Sequence, residues 1–210
     1  MTKAPSDGKS PVAGAGPDAK RLSEAVKLAA PKGPPPVHLW HPAFSGDMDM
    51  RITRDGAWIH EGRPITRPGL VRLFASILRY DTGEDGNEAG YMLVTPVERF
   101  RIQVEDVPFI AEDVDVTGEG HDQRLTFTTN LGDTTTAGPA AALRIELDGP
   151  DGAPRPYVRV RGNLDARIDR KTFYRLMDLA CPHELEGTRW FGLWSDGVFF
   201  PITPADELAP

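Results

Sequence analysis

One short amphipathic helix occurs twice in this chain, and that repeat constrains the fold more than any other feature of the sequence. Residues 65–74 read ITRPGLVRLF and residues 168–177 read IDRKTFYRLM. Each stretch begins with Ile, a capping residue (Thr66 or Asp169) and Arg, and then places apolar residues at helical spacing around an Arg-Leu pair. Two copies of one helix in a chain of 210 residues predict an internal tandem duplication.

Similar strands flank the two predicted helices. The segments MRITRDG (50–56) and LRIELDG (143–149) share a hydrophobic pattern that ends in Asp-Gly, which favours a hairpin turn. A second strand follows in each copy. After the helix and a loop, YMLVTPVERFRI (91–102) aligns with WFGLWSDGVFFP (190–201). Each copy therefore reads strand, turn, strand, helix, strand, strand. Because one helix on a short sheet leaves apolar surface open, we expect the copies to pack together or to extend one sheet.

The predicted fold class is α+β, built by tandem duplication of this unit. Residues 1–36 read as a disordered tail, a short helix from Asp18 and a Pro-rich linker. The first repeat is expected over 37–104, and a strand insert plus the second repeat over 105–210. Three strands in the insert would give the C-terminal half about seven strands and one helix, which is the element count of a small barrel or half-open sandwich.

Charge and composition exclude several classes of function. The net charge of −7 argues against a general affinity for nucleic acid or for an anionic membrane surface. No apolar run is long enough to span a bilayer, and the sequence opens with neither a signal peptide nor a transit peptide. The single Cys181 suits a reducing compartment. We therefore expect a cytoplasmic protein that binds neither nucleic acid nor membrane.

The sequence RPYVRVR, which begins at residue 155, is the strongest local signal of a binding site. Strand alternation would place Arg155, Tyr157, Arg159 and Arg161 on one face. Guanidinium groups around an aromatic ring can hold a phosphate and stack on a base. Pro156 lacks a backbone donor, which predicts an edge strand, and charges that guard an edge against aggregation are the alternative interpretation.

Two turns contribute further candidate ligand-binding groups. Thr95 and Glu98 lie in one predicted turn, and Asn130 and Asp133 lie in another. Loops on a rigid scaffold often carry binding groups. Since the chain has no phosphate loop and no dinucleotide fingerprint, a nucleotide would have to be held by such side chains. The alternative is that these residues only shape the turns.

Arg72 and Arg175 occupy equivalent positions in the two predicted helices and complete the set of candidates. Neither lies on the apolar stripe, so each is expected to reach the seam between the copies. There they would donate to a ligand or form ion pairs with Glu98, Asp106 or Asp133.

Catalytic and metal sites find little support in the sequence. His38, His41, Asp47 and Asp49 have the side chains of metal ligands, but their spacing matches no standard zinc pattern. A metal-dependent hydrolase is therefore a remote alternative. No catalytic residue, metal ligand or cofactor is assigned, and a non-enzymatic role is expected.

Five segments resemble a proteobacterial family of unknown function, catalogued as domain of unknown function 1285. The segments are GRPITRPGLVRLFASILR (62–79), YMLVTPVERFRIQVEDVPF (91–109), TTNLGD (128–133), RPYVRVRGNLDARIDRKTFYRL (155–176) and GLWSDGVFFPI (192–202). The resemblance implies a duplicated α+β core whose C-terminal half is superficially similar to pleckstrin-homology folds. It also implies a pocket between the halves for a nucleotide-like ligand, and a role in signalling. Family members commonly carry His-Pro where this chain has Ala141-Ala142, so any role of that His is absent here or filled differently.

Two functional hypotheses of different classes follow. The leading one is a non-enzymatic cytoplasmic module that holds a small anionic, nucleotide-like ligand between the two repeats. The alternative is a protein-interaction module in the C-terminal half, which would present an edge strand or an aromatic patch to a partner protein. The residues of that patch are Trp190, Trp194, Phe199 and Phe200.

Overall fold

The computed structural model describes Glu24 and residues 34–83, 88–147 and 152–208. The predicted tail, all but Glu24 of the predicted N-terminal helix, and the predicted Asp148-Gly149 turn lie outside the described residues. The described part contains fifteen β-strands and two α-helices. The fold is α+β and has two parts, as the repeat predicts.

The elements fall into a first unit, an insert and a second unit. The first unit consists of β1 Phe44–Ile52, β2 Trp58–His60, β3 Arg63–Pro64, α1 Pro68–Ser76, β4 Leu78–Asp81, β5 Gly90–Val94 and β6 Arg99–Val104. The insert consists of β7 Phe109–Thr117, β8 Arg124–Thr129 and β9 Thr134–Thr136. The second unit consists of β10 Leu143–Leu147, β11 Pro154–Arg161, β12 Leu164–Ile168, α2 Arg170–Met177, β13 Cys181–Leu185, β14 Thr188–Ser195 and β15 Val198–Pro204.

The first unit forms one six-stranded sheet in the order β3-β2-β1-β6-β5-β4. Neighbouring strands are antiparallel except β1 and β6, which run parallel from the Phe44–Arg99 pair to the Ile52–Val104 pair. The β1–β2 turn contains Gly56 at φ +82°, as its Asp-Gly sequence predicts. Parallel strands need a long crossover, and α1 with the β4–β5 hairpin supplies it.

The insert and the second unit share a second six-stranded sheet, in the order β10-β11-β12-β7-β8-β9. The predicted three inserted strands are confirmed, and β7 joins them to the second unit through a parallel ladder with β12. A third sheet, β13-β14-β15, packs against the second. The buried Ser195 hydroxyl connects these two sheets, because it accepts from the Leu125 N–H at 2.9 Å and donates to the Ala137 carbonyl at 2.7 Å.

Both units follow the order of three strands, a helix and three strands, but they close differently. The first and last strands of the first unit, β1 and β6, form a hydrogen-bonded ladder. The equivalent strands of the second unit, β10 and β15, lie side by side without a ladder. The second unit and the insert contain nine strands in the described residues, more than the predicted seven, because the sequence analysis missed β12 and β13. The two copies therefore share the order of their elements but differ in the pairing of their first and last strands.

The two helices begin in different ways. In α2, Asp169 caps the helix as predicted, since its Oδ1 accepts from the Thr172 N–H at 2.7 Å. In α1 the N-cap is Arg67, which makes no side-chain cap bond, and Pro68 follows at the first helical position. The prediction of Thr66 as the cap was therefore wrong, because Pro68 sets the start of the helix.

A single hydrophobic cluster runs through both units and contains Phe74 and Trp58 from the first, Phe109 and Phe127 from the insert, and Leu193 from the second. The units are thus held together by shared apolar burial as well as by polar contacts. In the described residues, no helix is long and apolar enough to cross a membrane.

Candidate ligand-binding cleft between the two units

A cleft of about 660 Å³ lies at the seam between the first unit and the rest of the chain. Helix α1 and strand β4 form one wall. The β8–β9 turn and the β11–β12 hairpin form the other, and the segment 34–38 closes one end. Its volume lies within the range of small-molecule sites, about 300–1,000 Å³. We call this site the seam cleft.

Much of the seam cleft is apolar. Leu78 and Leu164 are buried in its floor, and Leu131 projects from the β8–β9 turn. Tyr80 lies at its rim, where its ring meets that of Tyr91 edge-on at 4.9 Å. The exposed Tyr80 ring and the leucines can accept a flat or apolar part of a ligand.

Arg161 connects the walls of the seam cleft. It donates to Asp133 Oδ1 at 2.7 Å and to the Ala75 carbonyl at 2.6 Å, near the C-terminus of α1. Its guanidinium carbon lies 5.0 Å from the centre of the Phe109 ring. Arg161 thereby joins α1 to the second sheet. Its contact with the Ala75 carbonyl is favourable because a cation near a helix C-terminus complements the exposed carbonyls.

Arg79 holds the segment that precedes β1. Its Nη1 donates to the carbonyls of Val37 and Trp40, both at 2.8 Å, and its Nε donates to Asp81 at 2.6 Å. Asp81 also accepts from Arg99 at 3.0 Å. Since protein groups occupy its donors, Arg79 shapes the seam cleft and does not offer a free cation.

Arg72 differs from the other cations of the seam cleft. It lies exposed on α1, and within the described ranges it has neither a hydrogen bond nor an ion pair. Arg161 is paired with Asp133 and Arg79 with Asp81. Arg72 is therefore the guanidinium group that an incoming anion can bind without displacing a protein partner.

The predicted arrangement of the Arg-rich strand is wrong in two respects. Strand β11 lies between β10 and β12, so it is not an edge strand. A bulge shifts its register, so that Arg159 is opposite Asp165 whereas Arg161 is opposite Leu164. Because successive residues face opposite sides of a sheet, Arg161 is separated from the face that holds Arg159. The arginines of this strand do not converge.

The partners of Tyr157 and Arg159 lie within the protein. Tyr157 is buried and donates to Asp106 at 2.9 Å, and burial together with that bond raises the pKa of Tyr157 to about 12. Arg159 Nε donates to Asp165, and Arg159 Nη1 donates to the Gly162 carbonyl at 2.9 Å. Arg155 lines a different pocket.

Three of the four candidate turn residues lie outside the seam cleft and bind within the protein. The Thr95 hydroxyl accepts from the Glu98 N–H at 3.0 Å and donates to the Glu98 carbonyl at 3.2 Å, which closes the β5–β6 turn around a half-buried Glu98. Asn130 Oδ1 accepts from the Ile110 N–H at 3.1 Å. Of these four candidates, Asp133 alone lines the seam cleft.

Arg175 binds within the protein, as the ion-pair interpretation predicts, but to a different partner. It donates to Asp113 and, at 2.9 Å, to the Val114 carbonyl of β7. The hydrogen bond from Arg175 lowers the pKa of the Asp113 carboxyl. The expected partners were Glu98, Asp106 and Asp133. Asp113 takes this place because α2 packs on β7.

The structure does not assemble the proposed metal ligands. Asp47 is bound by Arg101 at 2.6 Å, and this hydrogen bond lowers the pKa of the Asp47 carboxyl. His38 lines the seam cleft. Over the described parts of the chain, no group of three or more His, Cys, Asp or Glu side chains is placed to hold a metal ion.

The predicted aromatic patch is largely buried, and this part of the interaction hypothesis is wrong. Phe199 and Phe200 belong to the core, and Trp190 is half-buried. Trp194 packs against His183 and Phe199, with ring centres 4.8 Å and 5.3 Å away. Phe200 joins the main hydrophobic cluster, whereas Phe199 is covered by the rings of His183 and Trp194.

Sequence models of one family match most of the chain. "Domain of unknown function (DUF1285), N-terminal domain" matches residues 35–107, and "Protein of unknown function (DUF1285), C-terminal domain" matches residues 108–202. The chain belongs to the DUF1285 family. No curated protein matches it.

Two solved structures of DUF1285 proteins are similar to this chain. One, from Silicibacter pomeroyi DSS-3, is 52% identical, covers 89% of this chain and 97% of its own, and has a TM-score of 0.77. The other, from Shewanella baltica OS155, is 25% identical, covers 62% of this chain and 91% of its own, and has a TM-score of 0.46. The first supports the fold described above across nearly the whole molecule.

The residues of the seam cleft that were not predicted from the sequence of this DUF1285 protein include two in a strand and one in a turn. Arg79 and Tyr80 lie in β4, and Leu131 lies in the β8–β9 turn. The region after α1 reads as a loop, so β4 was not predicted. The signal that could have revealed it is the alternation in Leu-Arg-Tyr-Asp, which places Arg79 and Asp81 on one face of a strand.

Proposed function

We propose that this DUF1285 protein is a non-enzymatic module that binds a small anionic, nucleotide-like ligand in the seam cleft. The observation that carries the proposal is the position of Arg72. Its guanidinium group, without a partner in the described residues, lines a cleft that also presents apolar side chains and an exposed tyrosine ring, while Arg79 and Arg161 there are already paired with acids. A ligand with one anionic group and one flat apolar part fits that combination.

The proposed contacts follow from the chemistry of the lining. Arg72 presents N–H donors in a planar fork, which matches the geometry of phosphate or carboxylate oxygens. Tyr80 lies at the rim, where a base or another aromatic ring can stack. Leu78 and Leu131 would cover the far side of that ring. Asp133 remains neutralised by Arg161 at 2.7 Å, so it repels an anion less than a free carboxylate would.

A ligand in the seam cleft would touch both units and stabilise their present arrangement, because binding to one arrangement favours it over others. We extend the proposal to a role in bacterial signalling in the cytoplasm, where ligand binding would be reported through the seam. A likeness of the C-terminal half to pleckstrin-homology folds is also part of the proposal, and the curled half-barrel among the sheets supports it.

A thermal-shift screen with AMP, GMP and ribose 5-phosphate tests the proposal, with adenosine as the uncharged control. We expect AMP or GMP to raise the unfolding midpoint and adenosine to have little effect. If none of the anions binds, the proposal fails. The second candidate is then favoured, in which the outer edge of β13, paired in the described residues with β14 alone, takes a strand from a partner protein.

Calorimetric titration of variants locates the site. Arg72→Ala removes a charge-assisted hydrogen bond of about 1.5–3 kcal/mol, so affinity for AMP should fall at least tenfold. Arg67→Ala is the matched control, because Arg67 is an exposed arginine at the start of the same helix and does not line the seam cleft. Equal affinity of Arg72→Ala and the wild-type protein would contradict the proposed site.

A further inference from the structure

A second concave site lies wholly within the second unit. It has a volume of about 470 Å³ and is formed by the start of β11, the end of β12 and one side of α2. Its charged lining residues are Arg155, Arg167 and Arg170, and no acidic side chain of the described residues lines it. We call it the basic pocket. It shares no lining residue with the seam cleft.

The three arginines of the basic pocket differ in availability. Arg167 is fixed by the Arg54 carbonyl at 2.7 Å and by Asp106 at 3.4 Å. Arg155 also interacts within the protein. Arg170 is exposed at the start of α2 and has no hydrogen bond or ion pair to any residue that the structure describes. Arg170 is therefore the cation that a ligand can bind directly.

The nearby carboxylates do not neutralise Arg170. Asp106 accepts from Tyr157 at 2.9 Å and pairs with Arg167. Asp169, the residue before Arg170, accepts from the Thr172 N–H at 2.7 Å as the helix cap. Both of these acids already have partners, so neither is available to pair with Arg170.

The apolar part of the basic pocket complements its charge. Ile168 and Phe173 are buried at its base, and Tyr174 stands beside them with 61% of its surface exposed. An exposed aromatic ring next to a free guanidinium group offers a stacking surface and an anion donor within one site.

We propose that the basic pocket binds a small aromatic phosphate monoester. The phosphate would accept from Arg170, with Arg155 and Arg167 adding positive potential, and the aromatic ring would pack on Tyr174 and Phe173. Guanidinium groups bind phosphate in a bidentate fork, which explains a preference for phosphate at this position. The inference stands apart from the seam cleft and holds whether or not that cleft binds a nucleotide.

Calorimetric titration of the full chain with phenyl phosphate tests the proposal, with phenol and inorganic phosphate as comparison probes. Arg170→Gln should weaken phenyl phosphate binding about tenfold or more. Lys171→Gln is the matched control, since it removes the same charge from the next residue of α2 but from a side chain outside the pocket lining. Its affinity should stay within about twofold of the wild-type value.

Two further variants make the result specific to this pocket. Tyr174→Ala should weaken phenyl phosphate binding but leave inorganic phosphate binding unchanged, because only the aromatic ring contact is lost. Arg72→Ala in the seam cleft should change neither. Circular dichroism would confirm that each variant is folded, which is expected because Arg170 and Tyr174 are exposed.

Three outcomes would overturn the inference. The first is no binding of phenyl phosphate at millimolar concentration. The second is equal loss of affinity in Arg170→Gln and Lys171→Gln, which would indicate general charge attraction. The third is loss of binding in Arg72→Ala with Arg170→Gln unaffected, which would place the ligand in the seam cleft.

Discussion

The two helices of the repeat have similar sequences but bury different faces. Helix α1 buries Val71, Phe74 and Ala75. Helix α2 buries Thr172, Phe173 and Leu176. With 103 positions between equivalent residues, from 65 to 168, the buried Val71 corresponds to the exposed Tyr174. The buried stripe has therefore moved by about one residue, which is about 100° around a helix of 3.6 residues per turn.

This difference separates the roles of equivalent residues. In the first unit, Val71 faces the core and Arg72 faces the seam cleft. In the second unit, Tyr174 reaches the basic pocket and Arg175 turns back to Asp113 on β7. A repeated sequence thus produces one arginine that has no partner among the described residues and one structural arginine, because the surrounding sheets close differently around the two helices.

The largest expected loss of stability comes from alanine variants that test which face of each helix is buried. Phe74→Ala, at a fully buried position, should lower the free energy of unfolding by about 3–5 kcal/mol. Met177→Ala, at the equivalent but half-buried position, should cost clearly less. The order is reversed at the preceding pair of equivalent positions. There, Leu176→Ala should cost more than Leu73→Ala, because Leu176 is the more buried of the two. Urea denaturation of the four variants measures this, and equal losses within each pair would contradict the described rotation.

A smaller loss of stability is expected when one tyrosine hydroxyl is removed from each unit. Tyr157→Phe removes the bond to Asp106 at 2.9 Å, and a hydrogen bond to a charged group contributes about 1.5–3 kcal/mol to stability. Tyr91→Phe should cost about 0.5 kcal/mol or less, because the Tyr91 hydroxyl makes no hydrogen bond to any residue that the structure describes. Denaturant titration at neutral pH measures both. A larger loss for Tyr91→Phe would contradict the assignment of the Asp106 bond.

The alkaline limit of stability involves the same two tyrosines. Burial raises the pKa of both tyrosine hydroxyls from 10.0 to about 12. The nearby Asp165 carboxylate adds to the rise in the pKa of Tyr91, and the hydrogen bond to Asp106 adds to the rise in the pKa of Tyr157. A raised folded-state pKa gives stability that is fully present below about pH 10 and is lost as the pH rises towards 12. The unfolding midpoint should therefore fall across that interval. The fall should be less steep in Tyr91→Phe and in Tyr157→Phe, and an unchanged slope in both would exclude these groups as its cause.

The comparison also shows which features the sequence could predict. The repeated helix, the Asp-Gly turn before β2, the Asp169 cap and the three inserted strands all depend on local patterns, and the structure contains each of them. Of the candidate ligand-binding residues, Arg72, Asp133 and Arg161 line the seam cleft, and their ligand-binding role stays a prediction. These residues were found because they stand at turns, strand ends or polar helix positions.

Other features depend on contacts between distant segments, which periodicity does not encode. The bulge that separates Arg159 from Arg161 arises from the pairing of β11 with β12. The central position of β11 depends on β10, and the partner of Arg175 depends on how α2 packs on β7. An alternating strand sequence predicts a common face only if the register is continuous, so the proposed convergence of arginines failed at the bulge.

Arg72 and Arg175 provide the most direct test of the central claim, that equivalent residues of the repeat bind a ligand in one unit and stabilise the fold in the other. The measurement is the AMP affinity and the thermal unfolding midpoint of Arg72→Ala and Arg175→Ala, each compared with the wild-type protein. We expect Arg72→Ala to lose at least tenfold in affinity with an unchanged midpoint, and Arg175→Ala to lower the midpoint slightly with unchanged affinity. If the two variants change affinity and midpoint alike, or if Arg175→Ala is the one that loses affinity, the division of roles between the two units is wrong.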